Sequence, residues 1–398
     1  MIEFEYIVVG NGLFGSAAAR HLTNFSQSVA VIGPDEPQDQ TNHDGVFASH
    51  YDQRRLTRLI GRSKLWVDIT RIAVDNYRHL EAQSGIRFFD PVGVLIVKAD
   101  HLKDNYQESP VETAKRENIP HTHYPVGNRS WQSKFPAYDF PKTHWVLHEP
   151  ITAGMIDPRA MLKAQLKISR LQGAAIIPQI VTSVEEKSDS VYLTTRSGEV
   201  YRAQKIVLAT GAFSNYYKLL PQKLALQPKS EVVLLAQVSE ADAAQLRSLP
   251  TISYTIDDPE ISDIYMTPPV QYENGRFYFK MGANTISDLY PTTLAQTQTW
   301  FQSGNSNAHL PALKKAICAI LPQVNFLSFE TKRCIIARTP SQYPMIDQLS
   351  DRLFVAVGGN GSSAKAADAW GKLAAGLAHD GRWINGIPRE NLRAVFRK

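Results

Sequence analysis

A glycine-rich turn near the start of the chain carries the clearest chemical signal. The apolar run Tyr6-Ile7-Val8-Val9 ends in a GxGxxG hexapeptide, and an alanine-rich segment with helical spacing follows. Gly10 permits the tight turn, Gly12 lets the backbone approach a pyrophosphate, and Gly15 lets helix and strand pack closely. The helix N-terminus offers unpaired N–H groups to the anion. We therefore expect a dinucleotide at a βαβ unit, in contact with Gly10, Gly12, Leu13, Phe14 and Gly15.

The acid that usually binds the adenosine ribose is displaced in this sequence. Such an acid normally ends the second strand of the βαβ unit. Here the second apolar run, Ser28 to Ile32, is followed by Gly33, and the first acid is Asp35. Either Asp35 reaches the ribose from a displaced loop, or it is a solvated turn residue and a backbone group and water take its place.

Two later segments favour FAD over NAD, since a nicotinamide enzyme is usually complete after one contiguous Rossmann domain. One is the strand and turn from Ile206 to Ala212, and the other is the strand Leu353 to Val357 with the glycine-rich turn after it. That second turn can bring backbone N–H groups and a helix N-terminus to the pyrimidine end of a flavin, or can be only a glycine-rich helix start. The cofactor-binding candidates in the later segments are Val181, Ala209, Thr210, Gly211, Gly358, Gly359, Asn360, Gly361 and Ser362.

The elements around these turns predict a mixed α/β fold with a Rossmann-type FAD-binding domain and an interleaved antiparallel-sheet substrate domain. Asp157-Pro158-Arg159 is typical of a helix start. Apolar spacing from Arg54 to Gln83 predicts one or two helices, and alternation from Glu231 to Ala283 predicts an antiparallel sheet. We expect the FAD-binding domain to comprise residues 1–85, 150–225 and 330–398, and the substrate-binding domain to comprise 86–149 and 226–329.

Composition narrows the class of protein. Among 398 residues the net charge is +5, and basic residues alternate with acids, so we expect no nucleic-acid partner. Cys318 and Cys334 are the two cysteines, which excludes a disulfide framework and favours a reducing compartment. We expect a cytoplasmic protein without membrane insertion, because no secretory signal and no apolar run of about 20 residues occurs. We also expect no metal site.

In their order and spacing, the first glycine turn, the Asp157 helix, the Val207 to Ala212 turn and the Gly358 turn resemble the D-amino-acid oxidase superfamily of FAD-dependent oxidoreductases, nearly end to end. The C-terminal third is similar to the monomeric sarcosine oxidase branch, which includes N-methyltryptophan, pipecolate and fructosyl-amine oxidases. The stretch from Cys334 to Asp347 is similar to the place where that branch attaches FAD through a cysteine thioether.

The resemblance implies roles for three residues. Cys334 matches the flavin-linked cysteine, Lys280 the oxygen-activating lysine, and Lys365 the carboxylate-binding lysine. A lysine cation held over the flavin would speed electron transfer by stabilising the superoxide that forms first. The alternatives are that Lys280 is a solvated strand residue and that Cys334 is a buried core residue.

The same comparison implies losses at the substrate site. The branch's substrate arginine corresponds to Ser49, an active-site histidine to Asn284, and an active-site tyrosine to Ile336, so the flavin machinery is better supported than any substrate. Ser49 and His50 lie in a region that faces the flavin in the resembled fold, and both are candidates for cofactor contact.

Other arginines of this sequence could replace the substrate arginine that corresponds to Ser49, because a guanidinium binds a carboxylate through two hydrogen bonds. Arg54 or Arg55 takes that role, or both belong to one charged helix face with Arg58 and Arg62. Arg338 either binds substrate or pairs with an acid. The candidate catalytic residues are Lys280, Lys365, His50, Arg54 and Arg338.

We therefore expect an FAD-dependent oxidase or dehydrogenase that oxidises the C–N bond of an amine or amino acid, a secondary amine or N-substituted amino acid being favoured. The product is an imine that water hydrolyses, with oxygen or another acceptor reoxidising the flavin. One alternative is a 2-hydroxy acid dehydrogenase, in which a base such as His50 would take the hydroxyl proton. Another is a flavin-binding subunit without turnover of its own.

Overall fold

The computed structural model describes residues 2–102 and 108–397. Its strands are β1 (Ile2–Val9), β2 (Val29–Ile32), β3 (Arg55–Thr57), β4 (Phe89–Asp90), β5 (Val94–Ala99), β6 (Thr122–Tyr124), β7 (His144–Glu149), β8 (Gly154–Ile156), β9 (Ala175–Ile177), β10 (Val181–Glu186), β11 (Val191–Thr195), β12 (Val200–Leu208), β13 (Gln227–Val238), β14 (Thr251–Thr255), β15 (Ile261–Gln271), β16 (Phe277–Thr285), β17 (Ser328–Arg338), β18 (Met345–Gln348) and β19 (Leu353–Val357). Its α-helices are α1 (Leu13–Leu22), α2 (Lys64–Ser84), α3 (Pro110–Arg116), α4 (Pro158–Leu171), α5 (Glu240–Leu246), α6 (Leu294–Ser303), α7 (Leu310–Ile320) and α8 (Ala367–Asp380).

The first sheet has a parallel centre, which confirms the predicted Rossmann-type arrangement. Strands β9, β2, β1, β12 and β19 pair in parallel, while β10, β11 and β18 add antiparallel pairs. Val9 at the end of β1 lies beside Ile32 of β2 on one side and Leu208 of β12 on the other. The carboxyl ends of the central strands therefore share one edge, which is where open α/β sheets bind ligands.

Helices α1, α2, α4 and α8 pack together, and a buried carboxylate joins them. Asp368 of α8 accepts hydrogen bonds from Arg20 of α1 at 2.7 Å, from Asn76 of α2 at 2.7 Å and from Gln165 of α4 at 2.9 Å. The α4 helix begins as predicted, because Asp157 accepts a hydrogen bond from the Ala160 N–H and caps the first turn. These contacts fix the helices that precede and follow the ligand-binding edge.

The second sheet has the order β17-β13-β16-β15-β14-β5-β7-β6 and is antiparallel apart from the β14–β5 pair. This confirms the predicted second, largely antiparallel sheet. A small third sheet joins β3, β8 and β4. The division into two domains at the residues given above stays a prediction, and its boundary at residue 330 would cut the continuous strand β17.

The helix expected to begin near Arg54 begins later. Residues 55–57 form β3 on β8, and Arg54 has a left-handed φ of 61°. Helix α2 starts at Lys64, because the Ser63 side chain caps it by accepting from the Trp66 N–H. The alternative of one charged helix face through Arg54, Arg55, Arg58 and Arg62 is therefore wrong.

No helix within residues 2–102 and 108–397 is long and apolar enough to cross a membrane. Within those ranges, His, Cys, Asp and Glu side chains form no group of three that could hold a metal ion.

Candidate active site

A cavity of about 410 Å³ is lined by residues of both large sheets, in the size range of small-molecule and cofactor sites. Most residues singled out in the sequence line it, namely Gly10, Gly12, Leu13, Phe14, Ser49, His50, Val181, Ala209, Thr210, Gly211, Cys334, Arg338, Gly358, Gly359, Asn360, Gly361, Ser362 and Lys365. Four others do not line it, namely Gly15, Asp35, Arg54 and Lys280.

The first glycine turn is shaped by close backbone packing on one side and open space on the other. A Cβ on Gly10, whose φ is 101°, would lie 2.5 Å from the Ala209 carbonyl oxygen, and one on Gly15 would lie 1.8 Å from the Gly10 oxygen. A Cβ on Gly12 would meet nothing nearer than His50 Nδ1, at 4.0 Å. Gly15 thus serves helix packing, whereas Gly12 leaves room beside the first turn of α1 for an anion.

The structure does not bring Asp35 to the cavity. A Cβ on Gly33 would lie 2.4 Å from the Asn11 nitrogen, so no acid fits at the end of β2. Asp35 is exposed, which favours the solvated turn residue over the ribose ligand. Instead, Gln179 and Ile180 line the cavity after β9, and sequence reasoning missed them because they belong to no motif.

The second glycine turn is pinned to the end of β17. Gly358 has a φ of 86°, and a Cβ there would lie 2.3 Å from Thr339 Cγ2. The Asn360 side chain accepts from the Thr339 N–H at 2.9 Å and donates to the Gly358 carbonyl at 2.7 Å. In the part of the chain that the structure describes, the buried Ser363 Oγ on this wall has no hydrogen-bond partner. That orphaned hydroxyl is suited to a bound ligand.

Lys365 follows this turn and is buried at the cavity wall. Its Nζ donates to the Arg58 carbonyl at 3.1 Å. Burial, and then the charge of Arg58, lower the pKa of Lys365 to about 7. The ammonium is therefore held in a place where an anion entering the cavity would stabilise its charge.

Lys280 is neither a solvated strand residue nor part of the cavity wall. Its Nζ lies 2.5 Å from an Asp52 carboxylate oxygen and donates to the Arg54 carbonyl at 2.7 Å. Burial, and then the charge of Arg55, lower the pKa of Lys280 to about 8 against the attraction of Asp52. The ammonium is therefore bound by the Asp52 carboxylate and a main-chain carbonyl, and its role toward a flavin stays a prediction.

The neighbouring residues Arg54 and Arg55 have different partners. Arg54 forms an ion pair with Asp90 at 2.9 Å, away from the cavity. Arg55 lines the cavity, donating to the Ser49 carbonyl at 2.7 Å and to Asp52 at 3.1 Å. Of the two, the structure therefore brings Arg55 to the site, and the candidate Arg54 is placed elsewhere.

Strand β17 contributes a thiol and a guanidinium to the cavity wall. Cys334 lies opposite Glu231 of β13, and burial raises the pKa of the thiol against the charge of Arg55. The side chain of Arg338 makes no hydrogen bond or ion pair with any other residue of the ranges 2–102 and 108–397. Burial raises the pKa of Glu231, although its carboxylate lies 2.8 Å from Lys229 and also feels the charge of Arg338. The cavity wall thus presents the Arg338 guanidinium, whose charge acts on the Glu231 carboxylate.

His50 lies beside the first glycine turn. Burial, and then Arg159 and Arg55, lower the pKa of His50 to about 3, so the ring is neutral at physiological pH. Its Nδ1 is the atom nearest to the open side of Gly12. This position suits a hydrogen bond to the bound cofactor better than proton removal from a substrate.

Comparison with known proteins decides the family. A family profile described as FAD dependent oxidoreductase (DAO) matches residues 5–377. The chain belongs to the DAO family of FAD-dependent oxidoreductases.

Relatives of this DAO-family chain cover nearly its whole length. The N-methyl-L-tryptophan oxidase of Yersinia pestis (strain Pestoides F) is 24% identical over 391 residues, covering 95% of this chain and 96% of that protein. The structure of NikD, an unusual amino acid oxidase essential for nikkomycin biosynthesis, matches with a TM-score of 0.77 at 19% identity, covering 100% and 98% of the two chains. L-proline dehydrogenase from P. horikoshii matches with a TM-score of 0.72 at 18% identity, covering 98% and 96%. The two structural matches show a shared fold.

The residues present fit the FAD that the family implies. The open side of Gly12 leaves space for the pyrophosphate at the N–H groups of Leu13 and Phe14. Elsewhere in the cavity lining, the Ser363 hydroxyl, which has no hydrogen-bond partner in the described ranges, and the N–H groups of the Gly358 turn offer donors to a flavin ring.

Proposed function

We propose that this DAO-family enzyme is an oxidase of amines that carry a carboxylate, with secondary amines and N-substituted amino acids as the favoured class. Bound FAD supplies the acceptor for a hydride from the carbon next to nitrogen and passes the electrons to oxygen, giving hydrogen peroxide. The substrate becomes an imine, which water hydrolyses. The names of the relatives, which include an N-methyl amino acid oxidase and an L-proline dehydrogenase, support this class.

The observation that carries the proposal is the Arg338 guanidinium at the cavity wall. A partly buried arginine without a protein partner in the described ranges gains two charge-assisted hydrogen bonds when a carboxylate enters. Lys365 offers a second cation in the cavity lining, and Glu231 offers a carboxylate to the substrate nitrogen. A cavity with both signs of charge suits an amino acid better than a simple amine.

His50 argues against the 2-hydroxy acid alternative. Oxidation of an alcohol needs a base for the hydroxyl proton, whereas a neutral amine has a lone pair that assists hydride loss without one. A histidine whose pKa is lowered to about 3 is a weak base at physiological pH, and it lies at the Gly12 turn. The geometry therefore favours oxidation at a C–N bond.

The proposal includes a thioether between Cys334 and the flavin. The Cys334 side chain lines the cavity, and Arg55 and Lys280 both oppose the rise of its pKa. The C–S bond would form as the methyl group on the benzenoid ring loses one C–H hydrogen as a proton and the thiol loses its proton, while oxygen takes up the two electrons released and two protons and leaves as hydrogen peroxide. The alternative, a thiol that only packs in the wall, stays open to test.

We also propose that the protein works in the cytoplasm, since Cys318 and Cys334 are both free thiols. Fractionation of cells that express the protein at native level tests this. Recovery with a periplasmic or extracellular fraction would contradict it.

A matched substrate panel tests the function. Cyclic and N-methyl amino acids should yield hydrogen peroxide and a carbonyl product, whereas the same amines without the carboxylate should react more slowly. Turnover of 2-hydroxy acids alone would contradict the proposal.

A further inference from the structure

Two arginines of the cavity lining have side chains without a protein partner. Arg62 and Arg338 both line the cavity, and the side chain of neither makes a hydrogen bond or ion pair with another residue of the ranges 2–102 and 108–397. Both residues are partly buried. A guanidinium keeps its positive charge at physiological pH, so an anion that enters the cavity stabilises each of them.

The remaining charged residues of the lining have partners within the protein. Four further cations of the lining are engaged in this way, namely Arg55, Arg58, Lys98 and Lys365. Within residues 2–102 and 108–397 the lining contains two acids, Glu231 and Asp263. Glu231 lies 2.8 Å from Lys229, and Asp263 accepts a hydrogen bond from the Asn284 amide at 3.3 Å. The lining therefore carries more positive charge than its own acids balance.

Arg62 belongs to a group of cations around Lys365. Burial lowers the pKa of Lys365, and the charges of Arg58 and Arg62 lower it further against the opposite effect of Glu149. Glu149 lies outside the lining, and its carboxylate oxygens accept from two main-chain N–H groups at 2.7 and 3.0 Å. Three cations of the lining thus share one carboxylate that lies outside it.

Arg338 belongs to a different charged group, the one around Glu231. Burial raises the pKa of Glu231, and the charges of Lys229 and Arg338 oppose that rise. The charges that act on Lys365 come from Arg58, Glu149 and Arg62. The cavity therefore offers an anion two separate places, one at Arg338 and the other at Arg62 with Lys365.

The pyrophosphate of FAD has its own place in the cavity. The open side of Gly12 lies at the start of α1, and His50 Nδ1 is the nearest atom to it. The cations whose charges act on His50 are Arg159 and Arg55. Neither of the two unpartnered arginines is among them. A pyrophosphate at Gly12 therefore leaves both of those arginines without a counter-ion.

We propose that the substrate carries two acidic groups, one bound by Arg338 and the other bound by Arg62 together with Lys365. The inference deepens the proposed function and rests on it for FAD and for oxidation at a C–N bond. The favoured class is the dicarboxylic secondary amines, such as N-carboxyalkyl amino acids. A substrate with one carboxylate leaves one of the two guanidinium groups without an anion.

Ligands that FAD cannot oxidise test the inference by binding alone. They form a series of ether diacids, in which oxygen replaces the amine nitrogen and the chain between the two carboxylates lengthens stepwise. Methyl-ended ether monoacids of the same chain length are the matched controls. The change in visible absorbance of oxidised FAD gives each dissociation constant. We expect at least one diacid to bind about 10-fold more tightly than its monoacid, because it gains a second charge-assisted contact.

Arginine variants assign the two carboxylates to their places. We expect Arg62→Gln to remove most of the advantage of the diacid and to leave the affinity of the monoacid unchanged. Arg338→Met should weaken both ligands. Arg62→Lys keeps the charge without the bidentate geometry, so it should keep part of the advantage, and it replaces Arg62→Gln if that variant fails to fold. Arg170→Gln, at an exposed arginine of α4 outside the lining, is the control and should change neither affinity.

Two binding results would each overturn the inference. One is a series in which diacids of every length bind no more tightly than their monoacids. The other is an equal loss for monoacid and diacid in an Arg62 variant that holds FAD, which would assign Arg62 to the same carboxylate as Arg338 or to the fold.

Turnover separates the inference from the proposed function. Equal kcat/KM for monocarboxylic and dicarboxylic secondary amines would overturn the inference and leave the proposed function standing. Tighter binding of a diacid that depends on Arg62, in a protein that oxidises no amine, would support the second anion site and contradict the proposed function.

Discussion

At the scale of single residues, the sequence motifs located the site but could not locate the charges within it. The spacing around Lys280 matches an oxygen-activating lysine, but it does not indicate that Asp52 and the carbonyls of residues 53 and 54 bind the ammonium. Arg55 reaches the cavity, and Arg54 points to Asp90. Which of two adjacent arginines enters a cavity depends on backbone conformation at Arg54, whose left-handed φ no periodicity indicates.

Lys365 should make substrate binding depend on pH. Because burial lowers its pKa to about 7, the ammonium loses its charge as pH rises through that value. A bound carboxylate favours the charged form, so binding takes up a proton and weakens as pH rises. Anaerobic titration of the flavin absorbance at several pH values measures this. The same pH dependence in Lys365→Met would contradict the assignment.

Arg338 should recognise the substrate carboxylate. We expect Arg338→Met to raise the dissociation constant of a carboxylate-bearing amine by about 10- to 100-fold, because a hydrogen-bonded charge pair is lost. Arg338→Lys keeps the positive charge but cannot form the bidentate hydrogen bonds. Its dissociation constant should therefore lie between those of the wild type and Arg338→Met. The affinity of the amine without a carboxylate is the control. An equal loss for both amines would assign Arg338 to folding.

Cys334 should retain the flavin when the protein is denatured. If the thioether forms, acid precipitation of the wild type gives a yellow pellet, and Cys334→Ala gives a colourless pellet with flavin in the supernatant. Flavin wholly in the wild-type supernatant would leave Cys334 as a packing residue.

At the scale of elements, the βαβ unit and the start of α4 could be predicted because each depends on local chemistry. A glycine turn and an Asp-Pro helix start act through neighbouring backbone groups. The start of α2 could not be placed, since apolar spacing continues from β3 into the helix and only the Ser63 cap separates them. Gln179 and Ile180 were missed because only the β2–β9 pairing brings them to the cofactor edge.

Two glycines of the first turn should respond differently to alanine. Gly15→Ala places a Cβ 1.8 Å from the Gly10 oxygen, so it should lower the melting temperature and abolish FAD binding. Gly12→Ala meets only His50 Nδ1 at 4.0 Å, so it should leave the melting temperature of the apoprotein unchanged and weaken FAD binding. Thermal unfolding and FAD titration of both variants check this. Normal FAD affinity in Gly12→Ala would contradict the assignment of the open side to the pyrophosphate.

At the scale of the whole molecule, the two-sheet arrangement followed from sequence, but the links between distant segments did not. Asp368 joins four helices, and nothing in its sequence neighbourhood indicates partners as far away as Arg20 and Gln165. Burial alone would raise the pKa of Asp368, but His21 and Arg20 hold it far below its usual range.

Loss of the Asp368 charge should therefore destabilise the fold. A carboxyl group with a depressed pKa contributes stability above its unfolded pKa of about 3.9, and that contribution is lost as pH falls towards the folded value. We expect Asp368→Asn to cost about 3–5 kcal/mol in the free energy of unfolding, because it leaves buried Arg20 without its counter-ion. Asp68→Asn, which breaks the ion pair with the exposed Lys64, is the control and should cost about 1 kcal/mol or less. Equal costs in urea unfolding would contradict the role of the buried network.

The central claim is that this fold holds FAD and oxidises a carboxylate-bearing amine at its C–N bond. The most direct measurement is the visible absorbance of the purified protein under anaerobic conditions while secondary amino acids and 2-hydroxy acids are added in turn. We expect a flavin spectrum that a secondary amino acid bleaches and that oxygen restores. Bleaching by 2-hydroxy acids alone, or by none of these compounds, would contradict the claim.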